Sequence, residues 1–305
     1  MIIDAEWRVF MYFCGMKLVV DSGSTKATWI WMRQGKDDVK VDSVGINPVR
    51  DDKETIERIV EGVAATLGCY EAVASMGEPM GAAASGELQV FFYGAGCVAP
   101  YTEVVRDVLE RVFKGAQVFV ESDLLGAARA LFGIKEGIAC ILGTGSNSCY
   151  YDGERIVENV SPLGWILGDE GSGAVLGRTL VGDLLKGQLG EDLKEAFFER
   201  FQLTQTDIID RVYRQPMANR FLASLVPFLV EHREDAGIHA LLVDAFRSFF
   251  RRNVAAYNRS DLPVSFVGGI AGQFEDELRE AAESEGFKVG VIERQPIVGM
   301  VAFHR

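Results

Sequence analysis

Two short hairpins of the same design lie about 120 residues apart, and they constrain the fold more than any other feature of the chain. Each consists of an apolar strand, a turn rich in Gly, Ser and Thr, and a returning strand. The first hairpin spans 17–32 with its turn at 22–26, and the second spans 137–152 with its turn at 143–147. A spacing of about one domain's length predicts an internal duplication into two units, not a short-period repeat.

Strands and helices alternate along much of the remaining chain. Apolar residues recur at helical spacing over 53–67 and 101–113, whereas 90–93 and 117–120 are apolar runs typical of buried strands. A last strand, a glycine-rich turn and a helix are expected within 264–285. This alternation predicts an α/β protein with helices on the faces of its sheets.

The pattern predicts two lobes built on duplicated mixed sheets. We expect an N-terminal lobe over 16–121, a C-terminal lobe over 122–293, and a helix over 294–305 that packs back on the N-terminal lobe. Residues 1–15 contain early acidic residues and no basic segment, so they do not resemble a signal peptide. They form either an N-terminal extension that the fold does not need or an extra edge strand.

Composition and charge argue against several classes of protein. The chain has 305 residues, of which 48% are hydrophobic and 25% are charged, which is typical of a globular protein with a large core. Its formal net charge of -13 repels phosphate backbones, so we expect no nucleic-acid partner. No apolar run reaches the ~18 residues of a membrane-spanning helix, so we expect no membrane association.

Cysteine and histidine usage argues against a metal site made of these residues. The five cysteines form no C-x-x-C pair, and there are three histidines. An odd number of cysteines also argues against a disulfide framework, and we expect the thiols to be small core side chains. These features predict a protein of the reducing cytoplasm.

The turn over 22–26, Ser-Gly-Ser-Thr-Lys, has the composition of an anion site. Small residues let the backbone approach a phosphate closely, and successive N–H groups, hydroxyls and one ammonium can surround it. Asp21, directly before the turn, is suited to hold Mg²⁺ either directly or through water. Taken alone, a polar hairpin turn is an equally good interpretation of this segment.

The turn over 143–147, Gly-Thr-Gly-Ser-Asn, repeats the same chemistry after a second apolar strand. Together, two such turns can clamp a polyphosphate from opposite lobes, although the Walker A pattern is absent. A third glycine-rich element, Gly-Gly-Ile-Ala-Gly over 268–272, lies between a strand and a helix. It suits the close approach of a nucleotide's base and ribose, and an ordinary strand–helix turn is its structural alternative.

These three elements, in this order, resemble the phosphate-1, phosphate-2 and adenosine motifs of the actin/Hsp70/hexokinase superfamily. The most specific resemblance is to the N-acetylglucosamine kinase and BadF/BadG/BcrA/BcrD ATPase family. It covers nearly the whole chain from Met16 onward. The segments that carry it are DSGSTKATW (21–29), ESDLLGAA (121–128), ILGTGSNS (141–148), GWILGDEGSG (164–173) and GGIAG (268–272).

This resemblance implies a two-lobed, ribonuclease H-like (actin-like ATPase) fold with an ATP cleft between the lobes. ATP and Mg²⁺ are the implied cofactors, with Asp21 holding the metal through water. Phosphate contacts are implied at Ser22, Gly23, Ser24, Thr25, Lys26, Gly143, Thr144, Gly145 and Ser146. Adenosine contacts are implied at Gly268, Gly269 and Gly272, and sugar contacts at Asn47, Asn147, Trp165 and Asp169.

Asp123 is predicted to be the catalytic base. It follows an apolar strand, so its carboxylate is expected at a sheet edge, where it can accept the proton of an attacking sugar hydroxyl. The resemblance assigns this role to the same residue, whereas a helix N-cap is its structural alternative. The sugar-binding candidates have alternatives too: a core indole for Trp165, a helix cap for Asp169 and an Asx turn for Asn47.

The sequence therefore predicts a kinase that transfers phosphate from ATP to an amino sugar, with the 6-hydroxyl of N-acetylglucosamine or glucosamine as the acceptor. One alternative is an ATPase that activates a dehydratase or reductase partner and binds an iron–sulfur cluster through a cysteine. The stretch 167–173 has no cysteine, which argues against it. The other is a regulator that binds a sugar or nucleotide without turnover, against which Asp21 and Asp123 argue. A homodimer is compatible with the sequence.

Overall fold

The computed structural model describes residues 16–33, 35–67 and 88–305. The predictions made for residues 1–15 and for two of the five cysteines lie outside the described residues. Among the residues it describes, no helix combines the length and the apolar character needed to cross a membrane.

Contacts between residues divide the protein into two compact units. Unit 1 comprises the described residues up to Gly126 together with Ile297–Arg305, and unit 2 spans Ala127–Pro296. Unit 1 is thus assembled from two stretches of chain that are separated in sequence by the whole of unit 2.

Unit 1 is built on a five-stranded mixed sheet. Its strands are β1 (Met16–Ser22), β2 (Lys26–Arg33), β3 (Val39–Val44), β4 (Leu88–Gly94) and β5 (Gln117–Ser122). In space they follow the order β3-β2-β1-β4-β5. Strand β2 is antiparallel to β1 and β3, whereas β1, β4 and β5 are mutually parallel. The carboxyl ends of these three parallel strands therefore meet at one edge of the sheet.

Within the described residues, α1 (Lys53–Thr66) and α2 (Thr102–Val112) accompany this sheet, and α3 (Asp123–Phe132) begins directly after β5 and continues into unit 2. Helix α1 begins where it does because the side chain of Asp52 accepts a hydrogen bond from the N–H of Thr55 at 2.8 Å, a typical N-cap. Apolar faces of α1 and α2 join the sheet in one core that includes Trp29 and Phe92, both fully buried.

Unit 2 repeats this plan. Its strands are β6 (Gly137–Leu142), β7 (Ser146–Tyr151), β8 (Ile156–Glu158), β9 (Val264–Val267) and β10 (Val289–Glu293), in the spatial order β10-β9-β6-β7-β8. Strand β7 is antiparallel to β6 and β8, and β9 is parallel to β6 and β10. Each strand of unit 1 has a counterpart in the same sheet position, so the predicted duplication of a mixed-sheet α/β unit is confirmed.

Unit 2 is much richer in helices. They are α4 (Gly164–Leu167), α5 (Gly173–Leu185), α6 (Glu191–Phe201), α7 (Gln205–Tyr213), α8 (Ala218–Ala223), α9 (Val226–Glu231), α10 (Ala236–Arg252), α11 (Gly269–Gln273) and α12 (Glu275–Ser284), with a 3-10 helix at Val254–Tyr257. One local expectation was wrong: most of the glycine-rich segment 268–272 is helical. Gly268 turns the chain at a φ of 117°, and α11 begins at once after it.

The last helix, α13 (Pro296–His304), packs on the sheet of unit 1 through its final residue. The Tyr93 hydroxyl and His304 Nε2 are 2.8 Å apart, and Lys17 Nζ donates to the carbonyl oxygen of His304 at 2.5 Å. The imidazole also stacks on the ring of Phe91 with a centroid distance of 3.8 Å. Lys17 and His304 are both buried, so this helix is fixed by specific polar contacts as well as by apolar packing.

The cysteines within the described residues are buried thiols without disulfide bonds, at Cys97, Cys140 and Cys149. Burial raises the pKa of the Cys97 and Cys149 thiols to about 12, so neither is a thiolate at neutral pH. These three behave as small core side chains, as expected from the sequence.

Candidate active site

The carboxyl edge of the unit 1 sheet collects the polar residues that follow three different strands. In the strand register, Ser22 at the end of β1 is beside Gly94 of β4, which in turn is beside Ser122 of β5. Asp21 is one residue before the end of β1, and Asp123 directly follows β5. Two carboxylates that are 102 positions apart in sequence are thus brought to the same edge.

The two carboxyl groups also interact electrostatically. Burial, and then the negative charge of Asp123, raises the pKa of Asp21 to about 7. Burial raises the pKa of Asp123 to about 6, although the backbone N–H groups of Leu124 and of Asp123 itself act in the opposite direction. Protonated and ionised forms of both groups are therefore accessible near neutral pH, as is typical of functional carboxylates.

The N-cap of α3 is provided by Ser122, not by Asp123. Ser122 Oγ accepts a hydrogen bond from the N–H of Leu125 at 3.2 Å, and Asp123 is the first residue of the helix. The N-cap role, which was the structural alternative for Asp123, is therefore filled by Ser122. The carboxylate of Asp123 is left at the positive end of a helix, at the sheet edge.

The first glycine-rich turn is held closed by its own backbone and by the segment that follows β3. The N–H of Gly23 donates to the carbonyl oxygen of Lys26 at 3.0 Å. Ser22 is fully buried, and its hydroxyl donates to the carbonyl oxygen of Ile46 and accepts from the N–H of Ile46. The hydroxyl of Ser22 therefore fixes the turn, while Ser24 and Thr25 are more exposed.

Gly45 is the closest neighbour of this turn. A Cβ atom at position 45 would lie 1.9 Å from the carbonyl oxygen of Gly23 and 2.9 Å from the backbone nitrogens of Thr25 and Lys26. The N–H of Gly45 also donates to the carbonyl oxygen of Thr25 at 3.1 Å. No residue with a side chain fits here without moving the turn, so position 45 fixes its shape.

Asn47 adopts the predicted Asx turn and lies against the loop that follows β4. Its Oδ1 accepts a hydrogen bond from the N–H of Val49 at 3.1 Å, and its own N–H donates to Asp51 Oδ2 at 2.8 Å. A Cβ atom on Gly96, which has a φ of 76°, would lie 2.4 Å from Asn47 Oδ1. The Asx turn fixes the orientation of the side-chain amide, a role compatible with ligand contact through Nδ2.

Replacing Asp21 with Asn is expected to stabilise the metal-free protein, and more at pH 8 than at pH 4.5. The folded-state pKa of about 7 lies above the ordinary value of 3.8, so the native state loses stability as pH rises between these values. Asn removes this cost, which at pH 8 is on the order of 4 kcal/mol. Melting temperatures measured in EDTA at both pH values test this.

The matched control is Asp52→Asn in the same unit. The pKa of Asp52 is lowered by the N–H and hydroxyl of Thr55, so its ionised form favours folding and Asn should not raise the melting temperature at pH 8. Equal melting temperatures for Asp21→Asn and the wild-type protein at pH 8 would contradict the proposed burial of the Asp21 charge.

The second glycine-rich turn, in unit 2, is tied to the start of α5. The N–H groups of Gly173 and Ala174 donate to the carbonyl oxygens of Gly143 and Thr144 at 2.8 and 3.1 Å. The turn itself is closed by a 2.9 Å hydrogen bond from the N–H of Gly143 to the carbonyl oxygen of Gly145. Turn and helix therefore form one rigid element, as an anion site with pre-oriented N–H groups requires.

Asp169 lies against this turn. A Cβ atom on Gly145 would be 3.0 Å from Asp169 Oδ2, so a glycine at position 145 lets the carboxylate come close. Burial raises the pKa of Asp169 to about 6, a hydrogen bond from the N–H of Ser146 acts in the opposite direction, and the charge of Glu170 adds to the rise. Asp169 does not cap α5, because Ser172 accepts the capping hydrogen bond from Val175.

The two other sugar-binding candidates of unit 2 are in different settings. Asn147 is on β7, and its Oδ1 accepts hydrogen bonds from the N–H of Ser148 and from Asn159 Nδ2, both at 2.9 Å. Trp165 is on the short helix α4 and is partly buried against the core of unit 2. Its indole therefore has, in part, the core position that was the structural alternative to sugar binding.

The third glycine-rich element packs on the second turn. A Cβ atom on Gly268 would lie 2.3 Å from the carbonyl oxygen of Leu142, directly before that turn. The side chain of Arg294 covers Gly272, where a Cβ atom would lie 2.4 Å from Arg294 Cγ, and the guanidinium donates to the carbonyl oxygen of Gly272. Segments 143–146 and 268–272 are therefore neighbours within one unit.

Sequence reasoning missed several charged residues around these elements. Arg252 forms an ion pair with Glu170 of the segment that carries Asp169. Arg178 and Arg294 also contact backbone carbonyls of the candidate segments. No local pattern signals such contacts, since each joins residues that are 13 to 82 positions apart.

Comparisons with known proteins place the chain in a family. No protein-family model and no curated protein matches it. A crystal structure from Porphyromonas gingivalis, of a protein provisionally named an N-acetylglucosamine kinase, shares 42% sequence identity with it. The match covers 95% of this chain and 98% of that chain, with a TM-score of 0.83.

More distant structures share the fold alone. A protein from Chromobacterium violaceum with the same provisional name is 18% identical over 96% of this chain and 99% of its own, with a TM-score of 0.71. A ROK-family glucokinase from Streptomyces griseus, in complex with glucose and AMPPNP, is 17% identical over 94% and 98%, with a TM-score of 0.50. Since 42% identity extends over 95% of its length, this chain belongs to the N-acetylglucosamine kinase-like family of that relative.

Proposed function

We propose that this protein is an ATP-dependent sugar kinase. The observation that carries the proposal is the pair Asp21 and Asp123, two interacting carboxylates at the carboxyl edge of one sheet, beside a closed glycine-rich turn. The names of the 42% identical relative and of the Streptomyces glucokinase, which was solved with glucose and AMPPNP, support the same reaction class.

Asp123 is the proposed general base. Its carboxylate accepts the proton of the sugar hydroxyl as that oxygen attacks the γ-phosphorus of ATP, and ADP leaves with the electrons of the broken P–O bond. The proton then passes to solvent. A pKa of about 6 keeps this carboxylate mainly ionised at neutral pH while leaving it a stronger base than an ordinary aspartate.

The residues present suit Mg²⁺ held by one or two carboxylates, and not a metal ion held entirely by protein ligands. No group of three or more His, Cys, Asp or Glu side chains within the described residues could hold a metal. Mg²⁺ typically takes one or two carboxylates together with water and phosphate oxygens, and the excess negative charge around Asp21 suits a divalent cation. When bound, the ion would neutralise charge on the transferring phosphoryl group.

In this proposal each unit has its own candidate segments for nucleotide contact. Unit 1 contributes the turn over 22–26 and the Lys26 ammonium, which pairs with Asp42 at 3.1 Å. Unit 2 contributes the turn over 143–146 for phosphate and Gly268, Gly269 and Gly272 for adenosine. The packing of Gly268 on Leu142 supports the assignment of both unit 2 segments to one ligand.

The proposed acceptor is the 6-hydroxyl of N-acetylglucosamine or glucosamine. Asn47, Asn147, Trp165 and Asp169 are the proposed sugar contacts. Asp169 supports this assignment best, because its carboxylate lies against a glycine-rich turn and can accept hydrogen bonds from sugar hydroxyls.

An ATP-coupled assay with matched sugars tests this function. We expect kcat/KM for N-acetylglucosamine or glucosamine to exceed that for glucose by about 10-fold or more, because polar groups that pair with the 2-substituent remain unsatisfied with glucose. N-acetylgalactosamine serves as an epimer control that keeps the 2-substituent. Equal values for glucose and both amino sugars would rule out the amino-sugar assignment, and no activity with any sugar would rule out the kinase.

A further inference from the structure

The segment 163–171, which carries Trp165 and Asp169, has an unusual backbone conformation. Leu163 and Asp169 have φ values of 61° and 53°, in the left-handed region that residues with a Cβ rarely adopt. The N–H of Asp169 donates to the carbonyl oxygen of Pro162 at 2.9 Å, which closes the segment on its own start. Such a conformation persists only where surrounding contacts fix it.

Apolar packing fixes only part of it, because Trp165 packs on the core of unit 2 while its neighbours on α4 are exposed. Ile166 and Leu167 of α4 are 68% and 69% exposed, and none of the four residues of this helix is fully buried. An open cleft of about 510 Å³ lies between the segment and helices α5 and α10. Side chains that cross from these helices to the segment therefore help to hold it.

Two arginines make these contacts. Arg252, at the end of α10, donates from Nε to Glu170 Oε1, and Asn253 Nδ2 donates to Glu170 Oε2 at 3.2 Å. Arg178, on α5, donates from Nη1 to the carbonyl oxygen of Trp165 at 2.6 Å. Each arginine thus contacts the segment directly beside one of the proposed sugar-binding side chains.

We propose that Arg252 is a positioning residue for the sugar site, which acts through Glu170 to hold Asp169 in its left-handed conformation. This inference rests on the proposed function. The Arg252 side chain is 60% exposed, so its Coulombic attraction to Glu170 contributes little on its own. Its effect is geometric, because it fixes the backbone from which Asp169 projects.

Arg252→Met and Arg251→Met form a matched pair of variants to test this. Both arginines are in the last turn of α10 with similar exposure, but Arg251 pairs with Glu285 and does not touch the segment 163–171. A general loss of stability would affect both variants alike. An effect confined to Arg252→Met reports on the contact with Glu170.

Hydrogen exchange of peptides covering 162–173 gives a readout that does not depend on activity. We expect Arg252→Met to speed exchange there by about tenfold, and Arg251→Met to leave it unchanged. In the coupled assay, Arg252→Met should raise KM for the amino sugar by about tenfold, with KM for ATP changed by less than about twofold. Glu170→Gln should have a similar effect, and the double variant no more than either single one.

Equal exchange in Arg252→Met and Arg251→Met would overturn the positioning role, whatever the activity. So would a loss of kcat with unchanged sugar KM, or full additivity of Glu170→Gln and Arg252→Met. If the wild-type protein phosphorylates no sugar, the proposed function falls, and the exchange experiment alone then decides whether Arg252 holds the segment.

Discussion

Replacing Asp123 with Asn is expected to lower kcat for phosphoryl transfer by ~10²–10⁴ while leaving the affinity for MgATP nearly unchanged. The amide keeps the size of the carboxyl group but cannot accept the hydroxyl proton at neutral pH. Folding should not suffer, because Ser122 caps α3 and because Asn removes a buried charge whose burial raises the pKa of Asp123. Steady-state kinetics with saturating sugar and AMPPNP binding by calorimetry measure the two effects separately.

Glu121→Gln is the matched control for this variant. Glu121 is two positions earlier, at the end of the same strand, and its side chain is exposed. The same chemical change there should alter kcat by less than about twofold. Turnover of Asp123→Asn near the wild-type value would show that Asp123 is not the base, and equal losses in both variants would point to a general electrostatic effect.

Replacing Gly45 with Ala should produce the second large effect, because one methyl group would collide with the backbone of the first turn. Its Cβ atom would lie 1.9 Å from the carbonyl oxygen of Gly23, and the contact atoms are backbone that cannot rotate away. We expect a loss of about 2–4 kcal/mol of stability and a fall in AMPPNP affinity of about tenfold or more. Chemical denaturation and calorimetry at a temperature where the variant is folded measure these quantities.

Gly62→Ala provides the control. It is the same substitution in the same unit, but it is expected to raise stability where Gly45→Ala lowers it. Gly62 is within helix α1, and a Cβ atom there would meet no atom within 4 Å. Alanine should raise stability by about 0.5–1 kcal/mol, since glycine is unfavourable in a helix interior, and leave nucleotide affinity unchanged. If Gly45→Ala matched Gly62→Ala in both measurements, position 45 would have no part in shaping the turn.

The duplicated sheet and its two hairpin turns could be predicted from the sequence, because each depends on local patterns. An apolar strand, a small-residue turn and a returning strand are neighbours in the chain, and periodicity is enough to find them. The relative of 42% identity confirms the family inferred from these segments. The position of Asp123 at the end of β5 followed from the same kind of pattern.

The sequence could not predict contacts between residues that are far apart in the chain, nor which of two adjacent residues takes a given role. The ion pair between Glu170 and Arg252 joins a loop to a helix end 82 residues away, and no periodicity links them. The Ser122 cap was also hidden, because Ser and Asp are both good N-caps and only the backbone path decides between them. The importance of Gly45 could not be predicted either, because it comes from the close approach of the Gly23 backbone across the turn.

The attachment of α13 to unit 1 has a consequence for the order in which the chain can fold during synthesis. Residues 16–126 are made first, but Phe91, Tyr93 and Lys17 receive their contacts from His304 only after all of unit 2 has been translated. Unit 2 has its sheet and helices in one continuous stretch and can complete its core earlier. Unit 1, whose strands are translated before unit 2, is therefore completed after it, and until then part of its sheet has no cover from α13.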